Sequence, residues 1–96
     1  MDEISGLEFD ARNLEHLARH GVDATLVWDV FLGDPKFFEQ VQNELRSGTH
    51  LMVGPSTTGK HWTIVIVRVD DAAGTWRPIT GWPSTGREIR RWREDD

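Results

Sequence analysis

Ninety-six residues without a cysteine suffice for one small domain, and they exclude disulfides and thiolate metal sites. With 38% apolar and 28% charged residues the chain is expected to fold as a globular protein, and its net charge of −5 counts against broad contact with nucleic acid. No apolar run approaches membrane-spanning length, and Met1-Asp2-Glu3-Ile4 lacks the basic and apolar regions of a secretory signal, so a cytoplasmic protein with no membrane contact is the default.

In chain order, Leu7-Glu8-Phe9 reads as a short strand or extended lead-in. Asp10 is placed to cap a helix running to His20, with Leu14, Leu17 and Ala18 on its apolar stripe and Gly21 as the stop. Asp23 caps a second helix over residues 24–32, whose Leu26, Val27, Val30 and Phe31 share a face and which Gly33 ends. Two short helices joined through Gly21-Val22 predict a helical corner.

After Asp34-Pro35 the periodicity changes to that of strands. Residues 36–42 read as a first strand, 43–48 as a polar turn and 49–53 as a second strand. The strongest element is 60–70, where Trp62-Thr63-Ile64-Val65-Ile66-Val67 is β-branched and apolar on both faces, the pattern of a central strand. A turn at Asp71-Ala72-Ala73-Gly74 leads to a last strand over 75–82, within which Pro78 cannot donate to a ladder.

Thr85 followed by Glu88 is a capping box, so a third helix is expected from Gly86. On it Arg87, Arg90 and Arg91 share one face, and Ile89 and Trp92 another. The predicted architecture is α+β: two N-terminal helices, an antiparallel sheet of three to four strands and a C-terminal helix, as one domain over residues 1–96. Helices cover one sheet face, and part of the other stays open.

Charge is unevenly divided. Residues 1–48 carry four bases against ten carboxylates, whereas residues 49–96 carry seven bases against six acids. A polyanion would therefore meet the second half.

Two motifs are set aside. Gly54-Pro55-Ser56-Thr57-Thr58-Gly59-Lys60 has the spacing of a phosphate-binding loop, but His61 and a β-branched strand follow where Ser or Thr and a helix are needed, so it reads as a hairpin turn. His16 and His20 stand at helical i, i+4 spacing but lack a third ligand, and no metal or other cofactor is expected.

Taken together, Phe9-Asp10-Ala11, Asn13, Arg19-His20-Gly21-Val22, the helix from Val27 to Phe31 with Asp34-Pro35, Gly59-Lys60, and Arg77-Pro78-Ile79-Thr80-Gly81-Trp82-Pro83-Ser84-Thr85 followed by Arg87-Glu88 resemble the BrnT-type toxins of bacterial type II toxin-antitoxin systems, whose fold is RelE-like. The chain departs from the family signature at Trp82 in place of its second arginine, at Trp92 near its usual tyrosine, and at Pro78 and Gly81 in place of isoleucine and alanine. The resemblance implies a metal-independent endoribonuclease in which a ribose 2′-OH attacks the adjacent phosphate. It also implies a cognate antitoxin of ribbon-helix-helix type, with DNA bound only indirectly through that antitoxin.

Such chemistry needs a proton-transfer group and cations around the developing charge. Arg77 is the candidate for gripping the phosphate, and His20 and His61 are the groups that titrate nearest neutrality. Lys60, Arg68, Arg87, Arg90 and Arg91 are candidate RNA contacts, and Trp82 a candidate base platform. Each has a structural alternative. His20 sits where a residue caps a helix, His61 where a surface residue begins a strand, and Arg77 can pair with a carboxylate. The arginine face of the last helix reads equally as a solvated face with Glu94 and Asp95 one turn on, and Trp28, Trp62 and Trp76 read as core. With Trp82 and Trp92 at the departed positions, a catalytically inactive protein-binding module is the second functional reading.

Overall fold

The computed structural model describes residues 6–39, 49–69 and 74–94. Strand β1 (Gly6–Leu7) leads into helices α1 (Ala11–Arg19) and α2 (Ala24–Leu32). Strands β2 (Lys36–Glu39), β3 (Thr49–Pro55), β4 (His61–Arg68) and β5 (Thr75–Pro83) follow, and helix α3 (Gly86–Glu94) comes last. The expected strand residues 40–42, the polar turn at 43–48 and Asp71-Ala72-Ala73 lie outside the described residues.

Both N-terminal helices start where a carboxylate accepts a free backbone N–H: Asp10 from Asn13 and Asp23 from Leu26, each at 2.8 Å. The corner between them is a Schellman closure. Gly21 takes φ 77°, its N–H donates to Ala18 O at 3.0 Å, and the Val22 N–H donates to Leu17 O at 3.0 Å. Leu17 and Val22 then meet in the core, which joins the turn to packing.

The sheet has order β1-β5-β4-β3-β2. Four strands form the expected antiparallel array, and Gly6–Leu7 adds a fifth by pairing parallel to Thr75 and Trp76 at the far edge. β4 is central, as its composition predicts: Thr63, Ile64, Val65 and Ile66 are all buried. Ile64 and Ile66 point to the α1–α2 layer, where they pack with Met52, Leu17, Val27, Val30 and Trp76. Thr63 and Val65 point to the opposite face, toward α3.

Pro78 is tolerated in β5 because the ladder is irregular there. Val65 pairs with Thr80 while Ile66 pairs with Pro78, so Ile79 is an extra residue beside the missing donor. The hairpin turn expected over 54–60 is shorter, 56–60, closed by the Ser56 N–H to Lys60 O at 2.8 Å with Gly59 at φ 91°, because Gly54 and Pro55 still pair with Trp62 and His61 in the β3–β4 ladder. Gly54 serves packing. A Cβ on Gly54 would lie 2.9 Å from Pro35 Cα and 3.2 Å from Asp34 O, which are backbone atoms that cannot swing aside. Gly54→Ala should therefore cost about 1–3 kcal/mol, read as a lower urea midpoint at unchanged slope.

Two expectations about the core are corrected. Ala18 is exposed, because α1 sits so that only Leu17 is fully buried. Trp28 is 37% exposed, because it falls off the stripe that carries Val27 and Val30 inward. Among the described residues no helix is long and apolar enough to cross a membrane.

Candidate functional site

Arg77 comes from β5 opposite Val67, so its side chain leaves the sheet on the face away from α1 and α2. It does not stand alone. Its guanidinium donates to the Glu8 carboxylate, just past β1, and its Nε lies 3.6 Å from Asp10 Oδ2. The hydrogen bond to Glu8 raises the Arg77 pKa; partial desolvation opposes this, and the charges of Glu8 and Asp10 reinforce it. The sign follows directly: a raised cation pKa stabilises the charged form, so Arg77 keeps its charge at every working pH. Asp10 serves twice, since its other oxygen caps α1. Strand β1 thus places two carboxylates against the arginine while the side chains of all three stay partly open, at 35% for Arg77 and 44% for each acid.

The two histidines lie elsewhere. His20 is exposed at the C-cap of α1, in the helix layer, with its ring 5.2 Å from that of His16. His61 begins β4, six residues before Val67, which puts it about 20 Å along the strand from the Arg77 position. Its ring stands edge-on to Trp92 at 4.6 Å, and its buried Nε2 has no hydrogen-bond partner. Arg77, His20 and His61 therefore do not converge on one point.

The other basic candidates divide between the two faces. Lys60 lies over the Trp62 ring at 4.8 Å, and Arg68 over Trp76 at 5.5 Å. Arg91 lies over Phe38 at 4.1 Å, beneath α3. Arg87 and Arg90 are exposed and form no ion pair among the described residues; Glu94 does not pair with them. Asp95 lies outside the described residues. Among the described residues no group of three His, Cys, Asp or Glu could hold a metal ion.

Trp82 is not a free platform. Its Nε1 donates to both Glu88 oxygens, at 3.0 and 3.2 Å. Glu88 also accepts the Thr85 N–H at 2.8 Å, completing the capping box, and the Thr63 hydroxyl at 3.0 Å. A carboxylate only accepts, so Thr63 donates to Glu88 and the Ser84 hydroxyl, 2.8 Å away, donates to Thr63. One side chain on α3 thus holds the helix, the end of β5 and a fully buried threonine of β4 together. The capping spacing reveals the first of these bonds, whereas the bonds to Thr63 and Trp82 carry no sequence signal. Glu88→Ala strands the Thr63 hydroxyl and the Trp82 N–H as well as losing the cap, and should cost about 2–4 kcal/mol, with Glu88→Gln costing less. Chemical denaturation monitored by tryptophan fluorescence tests both.

A mixed five-stranded sheet, two helices on one face and a C-terminal helix on the other can be compared with solved structures. The crystal structure of the Brucella abortus ribonuclease toxin BrnT superposes with a TM-score of 0.61, covering 83% of this chain and 96% of BrnT at 17% identity. The chain has the fold of BrnT. No protein-family model matches it, and no curated protein matches its sequence. The likeness to BrnT is therefore one of backbone architecture, and the chemistry must be argued from the residues this chain places on that architecture.

Proposed function

We propose that the protein is the toxin component of a type II toxin-antitoxin system, a cytoplasmic endoribonuclease that cleaves RNA without a metal. The observation that carries this reading is the match to nearly the whole of a ribonuclease toxin, combined with a guanidinium held beside two carboxylates at an accessible sheet edge. In this reading Arg77 binds the scissile phosphate and stabilises its developing charge. Glu8, already within hydrogen-bond reach of Arg77, takes the proton of the 2′-OH as that oxygen bonds to phosphorus and the 5′-oxygen leaves. Proton transfer falls to Glu8 rather than to His20 or His61 because neither imidazole lies beside the arginine. Arg68 follows Val67, the register partner of Arg77, but lies over Trp76 on the other face; Lys60 lies at the far end of β4, and Arg87, Arg90 and Arg91, on α3 beyond the far end of β5, meet more distant phosphates. A ribbon-helix-helix antitoxin covering the β5–α3 face would block all of this, and DNA is bound through that antitoxin alone.

A second reading, a non-catalytic binding module, is favoured by the same ion pairs: Arg77 faces two acids in a chain of net charge −5, a poor start for a phosphate site. One experiment separates the two. Under the first reading, induced expression arrests growth and the purified chain cleaves single-stranded RNA in excess EDTA. A stable complex with a DNA-binding partner, without arrest or cleavage, would establish the second.

A further inference from the structure

Trp28, 37% exposed, and Leu32, 74% exposed, are the large apolar side chains left open among the described residues, and they stand one turn apart on the outer face of α2. Two adjoining hollows of about 480 and 490 Å³ lie beside them and share Asp29, Leu32 and Thr57. Their far wall is the β3–β4 turn, fixed to α2 where Asp29 Oδ2 accepts the Thr57 N–H at 2.8 Å and its hydroxyl at 3.2 Å. The surface is thus a built groove with an apolar floor.

Its rim carries one sign of charge. Asp23, Asp29 and Asp34 line the hollows, and no Lys, Arg or His does. Asp29 Oδ1, Asp23 Oδ2 and both Asp34 carboxylate oxygens accept no hydrogen bond among the described residues. Three carboxylates with open oxygens around an exposed Leu and Trp repel a phosphate backbone and an anionic lipid surface alike, and attract ammonium and guanidinium groups. A second copy of this chain does not supply the match: its basic helix α3 exposes Arg87, Arg90 and Arg93 but turns Ile89 and Trp92 toward its own sheet.

We propose that this groove docks a basic amphipathic helix of a protein partner, with one or two large apolar side chains seated against Trp28 and Leu32 and flanking Lys or Arg reaching the three aspartates. The groove lies at the Pro55 and His61 end of the sheet, about 20 Å along β4 from the level of Arg77. An occupant therefore leaves Arg77 uncovered; the groove adjoins the end of α3, where Trp92 Nε1 donates to Asp34 O at 2.8 Å, but its proposed occupant does not depend on the antitoxin assignment.

The probe is a synthetic 18-residue Leu/Lys amphipathic helix titrated into the ¹⁵N-labelled full chain at 0.15 M salt, as about one Debye length of 8 Å screens diffuse attraction there. A Leu/Glu helix of the same pattern is the control. Amide shifts should concentrate in residues 23–34 and 55–57 and spare Arg77. Leu32→Ser and the double variant Asp23→Asn with Asp34→Asn should each weaken binding about tenfold, equivalent to about 1.4 kcal/mol. Both exposed changes leave the core intact, and unchanged far-UV dichroism checks that. Absence of binding, shifts spread over the acidic surface, equal binding of the Leu/Glu helix, or undiminished affinity in Leu32→Ser would each overturn the proposal.

Discussion

Trp76→Ala is expected to lose about 3–5 kcal/mol of stability, a large share of the 5–15 kcal/mol that holds a small domain together. Trp76 is 1% exposed and the largest side chain of the core. Its ring meets His50 edge-on at 4.7 Å and lies under Arg68. Its backbone also holds the site together, because the Trp76 carbonyl accepts the Glu8 N–H at 2.8 Å and Leu7 is its register partner. A cavity at this position undercuts the strand that brings Glu8 and Asp10 to Arg77. Hydrogen exchange at the Gly6 and Glu8 amides should accelerate together with the fall in the urea midpoint, whereas Trp28→Ala, at an exposed position, should shift the midpoint far less. Slow exchange at Glu8 in Trp76→Ala would show that β1 holds its place without the tryptophan.

The contrast between those two tryptophans also marks how far the sequence can be read. Apolar spacing on α2 puts Leu26, Val27, Val30 and Phe31 on one face and thereby puts Trp28 off it; reading Trp28 as core let residue type override periodicity. Local chemistry is legible throughout: Asp10, Asp23 and the Thr85/Glu88 pair cap where their spacing says, and Gly21 closes the corner. Each needs only neighbours within about five residues. Pairing at long separation is not legible. The short strand or lead-in read at 7–9 forms as Gly6–Leu7, but nothing local says that it pairs with a strand nearly seventy positions later and so converts Arg77 from a lone cation into the centre of an acidic cluster. The histidines fail as partners for Arg77 for the related reason that titration near neutrality identifies a chemical type and says nothing about place.

Arg77→Ala should lower RNA cleavage about 100- to 1000-fold, the effect of removing a preorganised charge at a transition state, and Glu8→Gln should lower it at least about 100-fold by removing the proton acceptor. Stability cannot be the cause of losses that large. The pair is partly open to water, and screened ion pairs of that kind contribute little to folding, so both variants should keep the wild-type dichroism and urea midpoint while losing activity. Arg77→Lys separates charge from geometry: a point charge replaces a fork that can grip two phosphate oxygens, so binding of a non-cleavable RNA should fall less than the cleavage rate. The raised pKa of Arg77 adds a check on pH. Because its charge persists, Arg77 itself should cause no loss of activity as pH falls. Full cleavage by Arg77→Ala would remove the phosphate from this edge altogether.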